Sequence, residues 1–284
     1  RDGQYDPAAI PLPPNFADEP DGDHPLKLRC FADAYRRKGH SGYPLETERD
    51  WREMIGRYWG LASLVDAQVG RILDALDRQG LWENTVVVYT SDHGDMMGSH
   101  RLIAKCVMYE EAVRVPLVVH LPGSVGAGRR VADPVSQVDL VPTMLDLLGR
   151  PVPDGLDGRS WKGMLLDGEP LAESDVVVEW NDGNTGCITA ERPRAREITG
   201  ELPAGVDAAA ALESVFDPVR TIVTPEGWKY NRSSRGEDEL YHLAEDPGET
   251  RNLAGDPARR VLVEELRGRI RRWQARTADA ARWR

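Results

Sequence analysis

The run Thr85-Val86-Val87-Val88-Tyr89-Thr90, followed at once by Ser91-Asp92-His93-Gly94-Asp95, constrains this chain more than any other segment. A short β-branched and aromatic run of this kind predicts a strand buried on both faces, as in a parallel sheet. Such strands end at the carboxyl edge of an open α/β sheet, where ligands bind. Asp92 and His93 then place a carboxylate and an imidazole on adjacent positions, and Gly94 lets the backbone turn sharply beside them. An oxygen donor next to a nitrogen donor suits a divalent metal. Taken alone the pair has a second reading, in which Asp92 caps the following turn and His93 is an ordinary satisfied histidine.

The segments around it fit an α/β layer fold. Thr47-Glu48-Arg49-Asp50 has the form of a capping box, and behind it Ile55, Tyr58, Ala62, Val65, Val69, Ile72 and Leu76 recur at spacings of three and four up to Gly80. One long helix with a single apolar stripe is predicted. A second strand is predicted over Val115–Leu121, before the Pro122-Gly123 turn, and a short helix over Leu140–Leu148, closed by Gly149. Residues 1–45, with Pro11, Pro13, Pro14, Pro20 and Pro25 and no sustained period, read as an extended surface segment.

Beyond about residue 150 the texture changes. A strand is predicted over Val176–Trp180 and a hairpin over Val219–Thr224 and Trp228–Asn231, turning at Pro225-Glu226-Gly227. Asp256-Pro257 opens a last helix whose Leu262, Leu266, Ile270 and Trp273 face should pack on that sheet or on the main domain. Residues 181–214 follow no clear pattern. The fold class is therefore α/β, a mostly parallel sheet flanked by helices over residues 1–150. A smaller α+β part with an antiparallel sheet is expected over 151–284.

Composition narrows the partners. Against 36 Lys+Arg stand 47 Asp+Glu, a formal charge of −11 over 284 residues, which disfavours nucleic acid or an anionic membrane. No run approaches the roughly 18 apolar residues of a spanning helix. Cys30, Cys106 and Cys187 are odd in number and scattered, which argues against a disulfide scaffold or a structural zinc site and for buried small side chains. The chain begins Arg1-Asp2-Gly3-Gln4, without Met, and is expected to be a piece of something longer.

Downstream of the Asp-His pair, Lys105 reads as a fixed cation for an anionic group or as a solvated lysine. His100 reads as a substrate contact or as a bystander, and Glu110, Glu111 and Arg114 as helical charge pairs. Taken in order, Ser91-Asp92-His93-Gly94-Asp95, Gly98-Ser99-His100, Lys105 and Tyr109-Glu110-Glu111-Ala112-Val113-Arg114-Val115-Pro116-Leu117 resemble the sulfatases of the alkaline phosphatase superfamily. Val65-Asp66-Ala67-Gln68-Val69-Gly70-Arg71-Ile72-Leu73 is similar to that family's helix before the metal strand. Glu239-Leu240-Tyr241-His242-Leu243, Asp246-Pro247-Gly248-Glu249-Thr250 and Asn252-Leu253 resemble the close of its small C-terminal domain.

The resemblance implies sulfate-ester hydrolysis at a calcium-centred site, with magnesium, manganese or zinc as alternatives. Asp92 and His93 would be two metal ligands, His93 standing where many members have Asn. Lys105 would bind the sulfate oxygens and His100 would contact substrate, with Arg101 standing where many members have Gly. The substrate would be a sulfated small molecule or sulfated glycan. The family's nucleophile is a formylglycine made in a Cys/Ser-x-Pro-x-Arg motif, and neither Cys30, Cys106 nor Cys187 stands in that context. The chain is therefore expected to be the latter portion of a sulfatase, inactive alone and prone to aggregate through apolar edges. Two other readings stay open: a phosphodiesterase or phosphonate monoester hydrolase of the same superfamily, and a non-catalytic binding module.

Overall fold

The computed structural model describes residues 3–124, 128–171, 175–181, 202, 204–281 and 283. They belong to two compact units, Arg1–Val118 with Trp180–Pro218, and Val119–Glu179 with Val219–Arg284. The chain passes from one unit to the other after residues 118, 179 and 218.

In the first unit, the N-terminal segment differs from its reading as extended chain. Asp6 caps a 3-10 turn at Pro7–Ala9, and helix α1 spans Leu26–Lys38. No proline lies between Pro25 and Pro44, and the φ of Pro25, −50°, already suits a helix start, so the Leu-x-Leu-x-x-Phe pattern behind it is free to coil. Leu26 and Cys30 of α1 pack with Ala211 of a later helix, Ala208–Val215.

Helix α2 spans Glu48–Arg78, and its capping box forms as read. The Thr47 N–H donates to Asp50 Oδ2 at 2.7 Å, and the Asp50 N–H donates to Thr47 Oγ1 at 3.3 Å. Trp51 anchors the first turn in a cluster with Phe16, Leu45 and Ile103, its indole N–H donating to the Leu45 carbonyl at 3.1 Å. The apolar stripe is buried only in this first part of the helix, at Ile55. Further along, Val65 and Ile72 are exposed.

Strands β1 (Val87–Thr90) and β2 (Leu117–His120) form a two-stranded sheet, with the short helix α3 (Glu110–Val113) between them in sequence. The expectation that both faces of these strands are buried is not met: Tyr89 and Val118 are exposed. Among the described residues this sheet has no third strand to extend the layer that would cover them.

In the second unit α4 (Leu140–Leu147) and α5 (Lys162–Asp167) are tied together by Asp139. Its carboxylate accepts the Trp161 indole N–H and the Arg159 N–H, each at 2.9 Å. Four strands follow in the order β3 (Val176–Trp180), β4 (Val219–Val223), β5 (Trp228–Ser233) and β6 (Glu239–His242). The pairs β4/β5 and β5/β6 are antiparallel, with Thr221 opposite Asn231 and Tyr230 opposite Leu240. Between β3 and β4 in sequence lies α6 (Ala208–Val215), which belongs to the first unit. The last helix, α7 (Arg260–Thr277), lays Val263, Leu266 and Ile270 on Ile222, Tyr230 and Leu240 of the sheet. No helix among the described residues is long and apolar enough to cross a membrane.

Candidate active site

β1 delivers the chain at Thr90 into a loop that runs to Tyr109 and is fixed by its own backbone. Gly94 sits so close to α3 that an added Cβ would lie 2.0 Å from the Glu111 carbonyl oxygen, and its N–H donates to the Ala112 carbonyl at 2.8 Å. Only glycine fits such an approach. Asp95 accepts from the Met97 N–H at 3.1 Å and the Ala104 N–H at 2.9 Å, so it serves as the loop's internal brace. Within the braced segment Met97, His100, Arg101, Ala104 and Cys106 all have positive φ, from 38° to 84°. Left-handed non-glycine residues cost of order 1 kcal/mol or more each and cluster at functional sites.

This loop presents Asp92 and His93 together. The Asp92 Oδ2 and His93 Nε2 atoms lie 3.5 Å apart. His93 Nδ1 donates to the Gly94 carbonyl at 2.8 Å, which leaves Nε2 with its lone pair turned toward the same side as the carboxylate. The His93 backbone N–H, donating at 3.0 Å, and the neighbouring imidazole hold the Asp92 carboxyl below the usual carboxylate range. The pair thus offers an ionised oxygen and a lone-pair nitrogen on one side of the loop. They fit a divalent cation as two of its ligands. Lys105, flanked by Ala104 and Cys106 at φ 64° and 84°, is exposed and forms no ion pair with a described residue.

His100 is placed differently. It is 0% exposed and stacks on Tyr109, with ring centroids 3.9 Å apart and planes 9° from parallel. Its Nδ1 donates to Asp18 Oδ2 at 2.9 Å, and its Nε2 faces Asn15 Nδ2 at 3.0 Å. Asn15 Nδ2 also donates to Glu111 Oε1 at 2.9 Å. Burial pushes the His100 imidazole below its usual range, with Glu111 and Asp18 pulling the other way. His24 completes the group, its Nε2 lying 3.6 Å from Asp18 Oδ2. Asn15, Asp18 and His24 were missed by sequence reasoning because they lie in the segment read as extended. The one available signal was that His24 and His100 are two of only six histidines.

The tail motifs prove structural. Asp246 accepts from the Thr250 N–H and the Arg251 N–H, and Asn252 Oδ1 accepts from the Leu240 N–H at 3.0 Å. Glu249, at φ 52°, reaches Lys229 Nζ at 2.8 Å with both side chains fully buried. Of the cysteines, Cys30 is buried as expected and Cys106 is half-buried, while Cys187 and most of the 181–214 stretch lie outside the described residues.

A strand-end Asp-His pair, a braced and strained loop and an antiparallel C-terminal sheet under a terminal helix define a mixed α/β protein. Residues 19–150 match the Sulfatase family model. It is 29% identical to the multifunctional alkaline phosphatase superfamily protein PehA of Trinickia caryophylli, over 94% of this chain and 50% of that protein. It is 30% identical to the Delta 4,5-hexuronate-2-O-sulfatase of Bacteroides thetaiotaomicron, again over 94% and 50%. Among solved structures, the phosphonate monoester hydrolase of Silicibacter pomeroyi superposes with a TM-score of 0.77 at 26% identity, covering 98% of this chain and 53% of that one. The chain thus spans about half the length of the curated relatives it matches.

Proposed function

We propose that this chain carries part of the active site of a sulfatase that hydrolyses sulfate esters of a glycan or a small sulfated molecule. The observation that carries the reading is the Asp92–His93 donor pair, 3.5 Å apart, on the same strained loop as the exposed Lys105. Asp92 and His93 would hold a divalent cation, calcium in the first instance, with magnesium, manganese or zinc as alternatives. When bound, such an ion supplies charge stabilisation to the ester's oxyanion.

The chain's own groups do the rest of what can be derived. Lys105 offers an ammonium to the sulfate oxygens, offsetting the charge that builds as the S–O bond breaks. His93 keeps its ring proton on Nδ1 through the Gly94 carbonyl, which fixes the tautomer that leaves Nε2 a donor. His100 touches the tyrosine and carboxylate behind the loop, so its part is to hold the loop's shape. With a net charge of −11, the local positive charge of Lys105 and a bound cation would draw an anionic substrate against an unfavourable overall field. No residue among the 284 stands in a Cys/Ser-x-Pro-x-Arg context, so the nucleophile would come from outside this sequence.

The substrate class rests on the similarity to a hexuronate-2-O-sulfatase. A second reading, phosphonate monoester hydrolysis, is favoured by the match to the Silicibacter pomeroyi enzyme. The discriminating experiment compares sulfate release from 4-nitrophenyl sulfate and a sulfated disaccharide with cleavage of a phenylphosphonate monoester. It uses a protein carrying these residues together with the Pro-x-Arg nucleophile segment. Preference for sulfate supports the sulfatase reading, preference for phosphonate replaces it with the second, and no cleavage of either leaves a binding module. Turnover by the 284-residue chain alone would refute the external nucleophile.

A further inference from the structure

We propose that Asp18, His24 and His100 form a transition-metal site, suited first to zinc, separate from the Asp92–His93 pair. The proposal does not rest on the sulfatase reading. The donor atoms of the three residues lie within 4.8 Å of one another, the one such group of three among the described residues. Two ligand atoms on a tetrahedral zinc, with bonds of about 2.1 Å, stand about 3.4 Å apart. The two measured separations bracket that value: 2.9 Å from His100 Nδ1 to Asp18 Oδ2 and 3.6 Å from His24 Nε2 to the same oxygen. Small side-chain shifts would seat an ion.

Both imidazoles are held at their far nitrogens, as metal-ligating histidines are. His24 Nδ1 accepts from the Asp21 N–H at 3.1 Å and lies 3.2 Å from Asp21 Oδ1; ligation through Nε2 puts the ring proton on Nδ1, which then gives up the N–H contact and donates to Oδ1. His100 Nε2 faces the Asn15 side-chain amide at 3.0 Å. Seating a metal on His100 Nδ1 moves the ring proton to Nε2 and turns the Asn15 amide so that its oxygen accepts it, at the cost of the Asn15 Nδ2 bond to Glu111 Oε1. The imidazole stays neutral throughout. His100 is pinned further by its stack on Tyr109 and by a φ of 51°.

Access comes from the other side. The Asp18 and His24 side chains are 26% and 14% exposed, which leaves a fourth position open to water. Two imidazoles and one carboxylate suit zinc, iron(II), cobalt or manganese better than calcium or magnesium, which prefer oxygen. The site would pin the segment before α1 to the strained loop, both within the first unit.

The test is zinc binding to the chain stripped with chelator. Wild type, His24→Ala and the Asp92→Ala/His93→Ala double variant are compared by calorimetry, retained zinc after gel filtration, and visible absorption of the cobalt(II) form. His24 is partly exposed, so its removal should leave the far-ultraviolet circular dichroism unchanged, and that spectrum is recorded alongside. Zinc bound by wild type and the double variant, with at least tenfold weaker binding by His24→Ala, is the expected result. Asp18→Asn, which keeps the side chain's shape, should weaken zinc in the same way. Binding that survives His24→Ala, that disappears in the double variant, or that is absent from folded wild type at 100 μM zinc overturns the proposal.

Discussion

Lys105 stands between two residues of positive φ, Ala104 at 64° and Cys106 at 84°, so its position is set by main chain rather than by side-chain packing. Its ammonium can be removed without opening a cavity, because the residue is exposed. In a protein with the complete site, Lys105→Ala should lower sulfate-ester turnover by about a hundredfold or more, the scale of losing one charge-stabilising donor. Thermal stability should change by no more than about 0.5 kcal/mol, the usual size of a surface substitution. Parallel turnover and thermal-melting measurements check this, and equal losses in both would make the lysine structural. Gly94 answers to the opposite logic. A methyl there would lie 2.0 Å from the Glu111 carbonyl oxygen, and that oxygen belongs to backbone that cannot swing away. Gly94→Ala should therefore cost about 1–3 kcal/mol or more, as overpacking does, and the loss should appear in the melting temperature whether or not a substrate is present.

At the level of elements, the C-terminal sheet is tied to the end of the chain by Arg220 of β4. Its guanidinium donates to both Asp279 oxygens, at 2.6 and 2.9 Å, and lies 3.4 Å from Glu179 of β3. Burial alone would raise the Asp279 carboxyl, but hydrogen bonds from Arg220 and Gln274 more than reverse this and hold it below the usual carboxylate range. A carboxyl whose folded pKa is depressed contributes stability that is full above its unfolded pKa and is lost as pH falls through the folded one. The contribution should therefore be intact at neutral pH, begin to fall at about pH 4, and be lost as pH drops further through the depressed folded value. Asp279→Asn should flatten that acid limb of a stability-against-pH curve while lowering the plateau. The neighbouring pair Lys229–Glu249 is fully buried, so breaking it by Lys229→Met should cost about 3–5 kcal/mol by stranding a carboxylate. Adding Glu249→Gln should recover part of that loss in denaturant unfolding.

These elements also show what could be read from the chain beforehand. The start of α2 was legible because a capping box is a local bond between Thr47 and Asp50, and the hairpin because Gly227, at φ 85°, marks its turn. The face of α7 was legible from spacing in part: Leu266 and Ile270 are buried as predicted, while Val263 rather than Leu262 is fully buried and Trp273 stays outside the cluster. The Asp92–His93 pair was legible because adjacency at a strand end needs no tertiary information. Helix α1 was hidden by the prolines that precede it. The Asp18–His100 contact was hidden by a separation of 82 residues, across which no local pattern reaches.

For the molecule as a whole, the outer face of α2 matters most. Leu61 and Ile72 are each 62% exposed, and Leu64 and Val65 between them are exposed as well, at spacings that put all four on one side of the helix. An apolar face of this kind marks an interaction surface or an association hazard. Against it works the net charge of −11, which keeps copies apart while ionic strength is low. Raising salt removes the opposition and leaves the apolar contact in place, since the screening length falls from about 10 Å at 0.1 M to about 3 Å at 1 M. The chain should therefore form larger species as sodium chloride rises from 0.05 to 0.5 M, seen by light scattering at fixed protein concentration. Leu61→Lys together with Ile72→Lys places two cations on that face and removes its most exposed apolar groups. Both positions are on the solvent side, so the helix should keep its circular dichroism while the salt-dependent growth disappears. Growth that persists in the double variant would move the sticky surface elsewhere, to the exposed Tyr89 and Val118 of the two-stranded sheet, whose unpaired edges offer the alternative route to association.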